Sequence, residues 1–200
     1  MIPKTNMNWE TYTAFGDSIT IGARTYFGYP ELTGHQLSEQ LKKQWNVINH
    51  AVSGYKAIDL ARYIDLHFDT LRSHQSAIST ILIGTNDVKA AVPLNDYLIA
   101  LEQVIIKVKL ITTSKNVVLI AIPHFHPGIM YPYSIEMNDQ IREFNTGIAM
   151  LAKKHQVRTI AFEHSADDFV DGVHLNRKGI ERFASQLSAF ILKDRGISIE

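Results

Sequence analysis

Short runs of β-branched and aromatic residues alternate along the chain with longer segments whose apolar residues recur every three or four positions. This alternation is typical of parallel strands joined by crossover helices. The apolar runs in the middle of the chain are nearly continuous, which favours central strands that are covered on both faces. The predicted strands are Tyr12 to Phe15, Val47 to Val52, Ile78 to Ile83, Val117 to Ile122 and Val157 to Phe162.

Apolar stripes with helical spacing follow these strands over residues 57–71, 94–111, 137–151 and 180–191. Asn176 is a good N-cap for the last helix. A less clearly patterned helix is expected around Glu31 to Trp45. Strands that alternate with helices indicate a three-layer α/β/α sandwich around a five-stranded parallel sheet. The length of 200 residues suits a single domain over 1–200.

Composition narrows the class of protein further. The chain has 20 basic and 20 acidic residues and a formal net charge of zero, which argues against a nucleic-acid binder. It has no cysteine, so it has neither disulfides nor a thiol nucleophile. The first residues lack a secretory pattern, and no apolar run is long enough to span a membrane. We therefore expect a cytoplasmic protein without integral membrane association; its oligomeric state is not readable.

Residues that suit acyl transfer follow several of the predicted strands. Gly16-Asp17-Ser18 follows the first strand, Ser53-Gly54 the second and Asn86 the third, while Asp171 and His174 lie in the loop before the last helix. Active sites of such sheets form beyond the carboxyl ends of the strands. A separation of three residues lets the Asp171 carboxylate orient the His174 imidazole, whose other nitrogen then accepts the proton of a serine. The set therefore predicts a serine hydrolase.

These residues resemble the SGNH hydrolases, also called GDSL esterases and lipases, over nearly the whole chain. The four residues that name the family fall on Ser18, Gly54, Asn86 and His174, and Asp171 matches the acid of the family's Asp-x-x-His block. The resemblance implies the family's flavodoxin-like fold and a reaction that needs no cofactor. Where family members often have a further glycine and a Gly-Asp-Thr block, this chain has Ala51 and Tyr55-Lys56, so we expect Tyr55 and Lys56 to shape substrate preference.

The resemblance also implies the role of each residue. Ser18 is the expected nucleophile, His174 its base and Asp171 the group that orients the base. The backbone N–H groups of Ser18 and Gly54 and the side-chain amide of Asn86 are the expected oxyanion hole. Glycine suits position 54 either because it leaves room for the oxygen or because the turn needs a positive φ. Asp17 and Asp87 are expected only to hold loop backbones.

Several alternatives stay open at this stage. Asp168 is a weaker candidate for the acid because its spacing to His174 is less suitable. The pair His124 and His126 offers two metal ligands, but no third ligand is evident, so we predict no metal. The loop over 127–133 is either an ordinary surface loop or part of the acyl pocket. Trp9 and Trp45 are expected to pack against the core.

Two classes of function are compatible with this sequence. The favoured one is a serine esterase acting on a small-molecule ester, with carbohydrate O-acetylesterase, lysophospholipase and thioesterase as related alternatives. The other is a non-catalytic module that binds a carbohydrate or a partner protein. Every proposed catalytic position retains its functional group, which favours the enzyme.

Overall fold

The computed structural model describes residues 9–112 and 116–194. Residues 1–8 lie outside the described residues, and the predicted absence of a secretory pattern concerns this segment. Five strands form one parallel sheet in the order β2-β1-β3-β4-β5. They are β1 (Trp9–Gly16), β2 (Gln44–Asn49), β3 (Ile78–Leu82), β4 (Val117–Ile120) and β5 (Arg158–Ile160). This all-parallel sheet confirms the predicted fold class.

Helices cover both faces of the sheet. They are α1 (Ser18–Ile21), α2 (Tyr29–Leu41), α3 (Ala57–Leu66), α4 (Phe68–Ser73), α5 (Thr85–Lys89), α6 (Leu94–Ile111), α7 (Met137–His155) and α8 (Arg177–Asp194). One hydrophobic cluster joins α3, α6 and α7 to one face, and a second joins α2 and α8 to the other. No helix within the described ranges is long and apolar enough to cross a membrane.

Strand residues alternate between these two clusters, as the pleat of a strand requires. In β4, Val117 and Leu119 belong to the cluster under α6, while Val118 and Ile120 belong to the cluster under α8. All residues of β3 and β4 are buried, which is why their sequences are apolar without a polar alternation. The prediction that these two strands are central is confirmed.

The predicted boundaries needed correction at the edges of the sheet. β2 begins at Gln44 and ends at Asn49, three residues earlier than predicted at each end, because Trp45 pairs with Glu10 of β1. Trp45 is therefore a buried strand residue, not the end of a helix. Trp9 is 53% exposed, so the expectation that it packs against the core was wrong. Trp9 precedes the part of β1 that is covered by β3, because β3 pairs with β1 only from Tyr12 onward.

The apolar stripe over 57–71 is divided into α3 and α4 at His67, whose backbone is not helical. The stripes of α6 and α7 form single helices as predicted. Asn176 caps α8 as expected, since its Oδ1 accepts a hydrogen bond of 3.0 Å from the N–H of Gly179.

Candidate active site

Ser18 is the first residue of α1, directly beyond the carboxyl end of β1, and its side chain is largely buried. Asp17 caps this short helix: its Oδ1 accepts a hydrogen bond of 3.0 Å from the N–H of Ile19. Asp17 is fully buried, and burial raises its pKa to about 7, although the bond from Ile19 opposes this shift. Asp17 thus holds the turn that presents Ser18.

His174 lies between Ser18 and Asp171 in the folded chain. Its Nε2 is 3.0 Å from the Ser18 Oγ, and its Nδ1 is 2.8 Å from Oδ2 of Asp171. An ionised carboxylate only accepts hydrogen bonds, so Nδ1 carries the proton and Nε2 of the neutral ring accepts from the serine hydroxyl. The structure therefore brings the three predicted side chains into one hydrogen-bonded line.

The Asp171 carboxylate is held by its own loop. Its Oδ1 accepts from the backbone N–H of His174 at 2.7 Å and from that of Val173 at 3.1 Å. Burial alone would raise its pKa, but these bonds and the His174 imidazole keep the pKa below its usual value. The carboxylate therefore stays charged at neutral pH.

Asp168, the weaker candidate for the acid, points elsewhere. Its Oδ2 accepts hydrogen bonds from the backbone N–H and the hydroxyl of Ser165, and its Oδ1 lies 3.4 Å from Nε of Arg182. Its carboxylate bonds back to Ser165, the N-cap of the short 3₁₀ turn at Ala166–Asp168, and ties that turn to α8. The structure brings Asp171, and not Asp168, to His174.

The three expected oxyanion donors lie on neighbouring loops. The N–H of Val52 donates to the carbonyl of Gly16 at 3.1 Å, which ties the loop after β2 to the end of β1. Nδ2 of Asn86 donates to the Tyr55 carbonyl at 3.0 Å, which ties that loop to the start of α5. An amide nitrogen carries two hydrogens, so one N–H of Asn86 remains for a ligand.

The backbone N–H groups of Ser18 and Gly54 have no hydrogen-bond partner among the residues that the structure describes. Gly54 has φ +85°, and a Cβ added there would meet no protein atom within 4 Å. The positive φ, and not crowding by the protein, is therefore what requires glycine at this turn.

Asp87 joins α5 to the beginning of α3. Both of its carboxylate oxygens accept from the N–H of Ala57, at 3.0 and 3.3 Å, and burial raises its pKa to about 6. Asp17 and Asp87 both bond to backbone N–H groups, as the sequence predicted. Lys56, expected to influence substrate preference, lies with Asp87 on the wall of a cavity between the starts of α3 and α6.

The sequence did not point to two asparagines of α7 that hold the loop after β4. Asn145 forms paired hydrogen bonds with the backbone of Ile122, at 2.8 and 2.9 Å, and Asn138 does the same with Phe125, at 2.7 and 3.0 Å. This loop supports the acid–base loop, since the N–H of His126 donates to the Gly172 carbonyl at 3.0 Å. The only feature of the sequence that could have indicated this role is the spacing of the two asparagines, which are seven positions apart on one face of the helix.

The histidines after β4 have no metal-binding arrangement. His126 Nε2 lies 2.7 Å from Nδ1 of His164, a distance at which one ring donates a hydrogen bond to the other. Burial lowers the pKa of His164 to about 4. Within residues 9–112 and 116–194, no group of three or more acidic or histidine side chains is placed to hold a metal ion.

The loop over 127–133 has two kinds of residue. Ile129 and Tyr133 are partly buried against the core, and Tyr133 packs edge-on against Phe125. Met130 and Tyr131 are exposed to solvent. The suggestion that this loop lines an acyl pocket stays a prediction.

Comparison with known proteins decides the family. Residues 14–182 match the GDSL-like lipase/acylhydrolase family. The chain belongs to this family. The resemblance seen in the sequence is thereby confirmed, as is the prediction of a hydrolase that acts on ester bonds. No curated protein sequence matches the chain significantly.

Solved structures of esterases share the fold. A lipase/acylhydrolase from Enterococcus faecalis is 19% identical and has a TM-score of 0.74, with 93% of this chain and 96% of that chain covered. A variant of the acetyl xylan esterase Axe2 from Geobacillus stearothermophilus is 17% identical, with a TM-score of 0.68 and 96% coverage of each chain. The acetyl xylan esterase AlAXEase is 22% identical, with a TM-score of 0.72 and 90% and 99% coverage. At these identities the likeness concerns the fold alone.

Proposed function

We propose that this member of the GDSL-like family hydrolyses small carboxylic esters through an acyl-enzyme, with Ser18 as nucleophile, His174 as base and Asp171 as the orienting acid. The observation that carries the proposal is the line of hydrogen bonds from the Ser18 hydroxyl through His174 to Asp171, with distances of 3.0 and 2.8 Å. These are the distances at which a base takes the proton of a nucleophile.

In the first half of the reaction, Nε2 of His174 takes the Ser18 proton while Oγ forms a bond to the ester carbonyl carbon. The N–H groups of Ser18 and Gly54 and the Asn86 amide stabilise the negative oxygen. The bond to the alcohol oxygen then breaks, and Nε2–H returns the proton to that oxygen. An acyl-enzyme and a free alcohol result.

In the second half, water replaces the alcohol. His174 takes a proton from the water molecule, whose oxygen attacks the acyl carbon, and the bond to Ser18 Oγ breaks as the hydroxyl regains its proton. The net change is ester plus water to carboxylic acid plus alcohol. No step requires a cofactor.

The decisive experiment compares Ser18→Ala with the wild type. We expect p-nitrophenyl acetate hydrolysis by Ser18→Ala to fall at least about 10³-fold, because removal of a nucleophile leaves only the contribution of the oxyanion hole and binding. A fluorophosphonate should add one mass increment to the wild type and none to Ser18→Ala. Ser53→Ala is the matched control, since Ser53 is exposed in the neighbouring loop; it should hydrolyse and label normally. Equal rates for Ser18→Ala and wild type would refute the proposal.

The substrate class can be identified by comparing a panel of esters. Two of the structural neighbours are acetyl xylan esterases, so acetylated xylo-oligosaccharides belong beside p-nitrophenyl esters of increasing acyl length, lysophospholipids and acyl-CoA. The ester with the highest kcat/KM identifies which of the related activities this chain has.

A further inference from the structure

A cavity of about 650 Å³ adjoins the acid end of the proposed triad, between the loop after α1 and the start of α8. Val170, which precedes Asp171, forms part of its wall, and Arg24 from the same wall has its Nε 3.9 Å from Oδ2 of Asp171. The segment that carries Arg24 is held to the nucleophile, since the N–H of Ala23 donates to the Ser18 carbonyl at 3.0 Å. The cavity therefore lies next to the site described above, with Arg24 and Val170 between it and Asp171.

The walls combine apolar groups with two cations. They include Arg24, Tyr26, Phe27, Val170, Arg177 and Ile180. Aromatic and aliphatic side chains suit a ring or a short carbon skeleton, whereas the two guanidinium groups suit an anion. No acidic residue of the described chain is among those that line the cavity. The carboxylates that pair with the two arginines, Asp171 and Glu181, are therefore outside the lining.

Both guanidinium groups keep donors available. The ion pair of Arg24 with Asp171 is long, and Asp171 is already satisfied by stronger bonds from His174 and Val173. Arg177 uses Nε for its pair with Glu181, at 2.9 Å, and its terminal nitrogens have no partner among the described residues. An arginine has five N–H donors in a fork that matches a carboxylate or a phosphate. Each residue can therefore still bind an anion.

The position of the cavity decides which part of the ester enters it. His174 must return its proton to the alcohol oxygen, so the alcohol portion departs on the imidazole side, while the carbonyl oxygen faces the donors at Gly54 and Asn86. Arg24 and Val170 lie next to Asp171, the hydrogen-bond partner of the imidazole. We propose that this cavity binds the alcohol portion of the substrate and selects alcohols that carry a carboxylate or a phosphate. The proposal rests on the proposed esterase function.

The test compares two acetyl esters that differ in one charge, 4-acetoxybenzoate and its methyl ester, each rate being divided by the rate of alkaline hydrolysis of the same ester. The selectivity is the ratio of the corrected kcat/KM values, anionic over neutral. We expect the wild-type ratio to exceed about 5, the factor that roughly 1 kcal/mol from an exposed ion pair supplies. Arg24→Gln and Arg177→Gln should each lower this ratio severalfold, and so should added salt.

Lys178→Gln is the matched control, because it removes one positive charge from the same turn of α8 at a residue that does not line the cavity and pairs with Asp167. Its ratio should equal that of the wild type. Glu181→Gln should raise the ratio by releasing Arg177. A wild-type ratio of one or less, or an equal loss in Lys178→Gln, overturns the proposal.

Esters that carry the charge on the acyl portion test whether the cavity binds the alcohol portion or the acyl portion. The arginine variants should not change the ratio for mono-4-nitrophenyl succinate over 4-nitrophenyl butyrate. A loss there equal to that for 4-acetoxybenzoate would place the anion on the acyl side and overturn the assignment to the alcohol.

Binding measured without catalysis distinguishes failure of this proposal from failure of the esterase function. By calorimetry, the wild type should bind 4-hydroxybenzoate and 4-hydroxyphenyl phosphate more tightly than methyl 4-hydroxybenzoate, and Arg177→Gln should lose this preference. Whichever of these two anions binds with the higher affinity indicates whether the arginines recognise a carboxylate or a phosphate. If Ser18→Ala were as active as the wild type but the binding preference held, only the proposed mechanism with Ser18 as nucleophile would be refuted. No preference in the wild type would refute the anion site itself.

Discussion

Replacement of Asp17 by asparagine should change how the free energy of unfolding depends on pH. Asp17 is fully buried, and its pKa is raised to about 7 because burial penalises the charged form. In the unfolded chain the same carboxyl has an ordinary pKa of about 3.9. The folded protein therefore holds this proton more tightly than the unfolded chain does. The resulting stabilisation is complete below about pH 4 and is lost as the pH rises through about 7.

The size of the effect follows from the two pKa values. One pKa unit corresponds to about 1.4 kcal/mol, so a shift of about 3 units from the ordinary value to about 7 amounts to roughly 4 kcal/mol over the full titration. Between pH 5 and pH 8 the linkage relation gives roughly 2.5 kcal/mol of this total. Because Asp17 has no exposed surface, solvent screening does not reduce this figure.

The assay is urea unfolding of the wild type and Asp17→Asn at pH 5, 6, 7 and 8 at constant ionic strength. The wild type should lose about 2.5 kcal/mol more than the variant between pH 5 and 8. Asparagine keeps the oxygen that accepts from Ile19 and is as good an N-cap as aspartate, so the turn should persist. Asp167→Asn, at an exposed position, is the control and should follow the wild type. Parallel pH profiles for the wild type and Asp17→Asn would refute the reasoning.

Four further substitutions test the candidate site and the loops that hold it. Asp171→Asn should lower kcat about 10³- to 10⁴-fold in ester hydrolysis, because an amide in place of the carboxylate no longer fixes the tautomer of the imidazole; a loss below tenfold would contradict this role. Asn86→Ala removes one expected oxyanion donor and should lower kcat by about 10²–10³ with little change in KM, whereas an effect on KM alone would contradict it. Gly172→Ala should lower the free energy of unfolding by at least about 2 kcal/mol, since φ is +76° and the new Cβ would lie 2.4 Å from the His126 carbonyl oxygen. Gly54→Ala has a similar φ without the contact, so denaturation should show a smaller loss, and equal losses would contradict the role of crowding.

Much of the fold was predictable because strands that are buried on both faces of the sheet have recognisably apolar sequences. β3 and β4 are apolar throughout, and the stripes of α6 and α7 match their buried faces. β2 was misplaced because it is an edge strand that is only partly buried, so its polar residues conceal its true start. Trp9 shows the same limit, since hydrophobicity alone does not reveal that its neighbouring strand starts later.

The candidate site was predictable for a different reason. Its reactive side chains follow strands that are easy to recognise, and the spacing of Asp171 and His174 within one loop restricts their geometry. Asn138 and Asn145 were not predicted, because their partners are backbone groups of a distant loop that no local pattern identifies. The arginines of the cavity were missed for the same reason, since Arg24 and Arg177 become neighbours only through the fold. The cytoplasmic location and the single domain stay predictions.

The order of the strands explains why these distant residues meet. β1 lies between β2 and β3, so the loops that carry Ser18, Gly54 and Asn86 leave three adjacent strands at the same edge of the sheet. The nucleophile and the expected oxyanion donors are thus fixed by the sheet itself.

The acid and base depend on a different support. They come from the loop before α8, which rests on the loop after β4 through the bond from His126 to the Gly172 carbonyl. A change at this contact should therefore displace the acid–base pair while it leaves the donors in place. Gly172→Ala then has a second expected effect, and kcat for ester hydrolysis should fall. The affinity for an uncharged product that binds only to the expected oxyanion donors of Ser18, Gly54 and Asn86 should be retained.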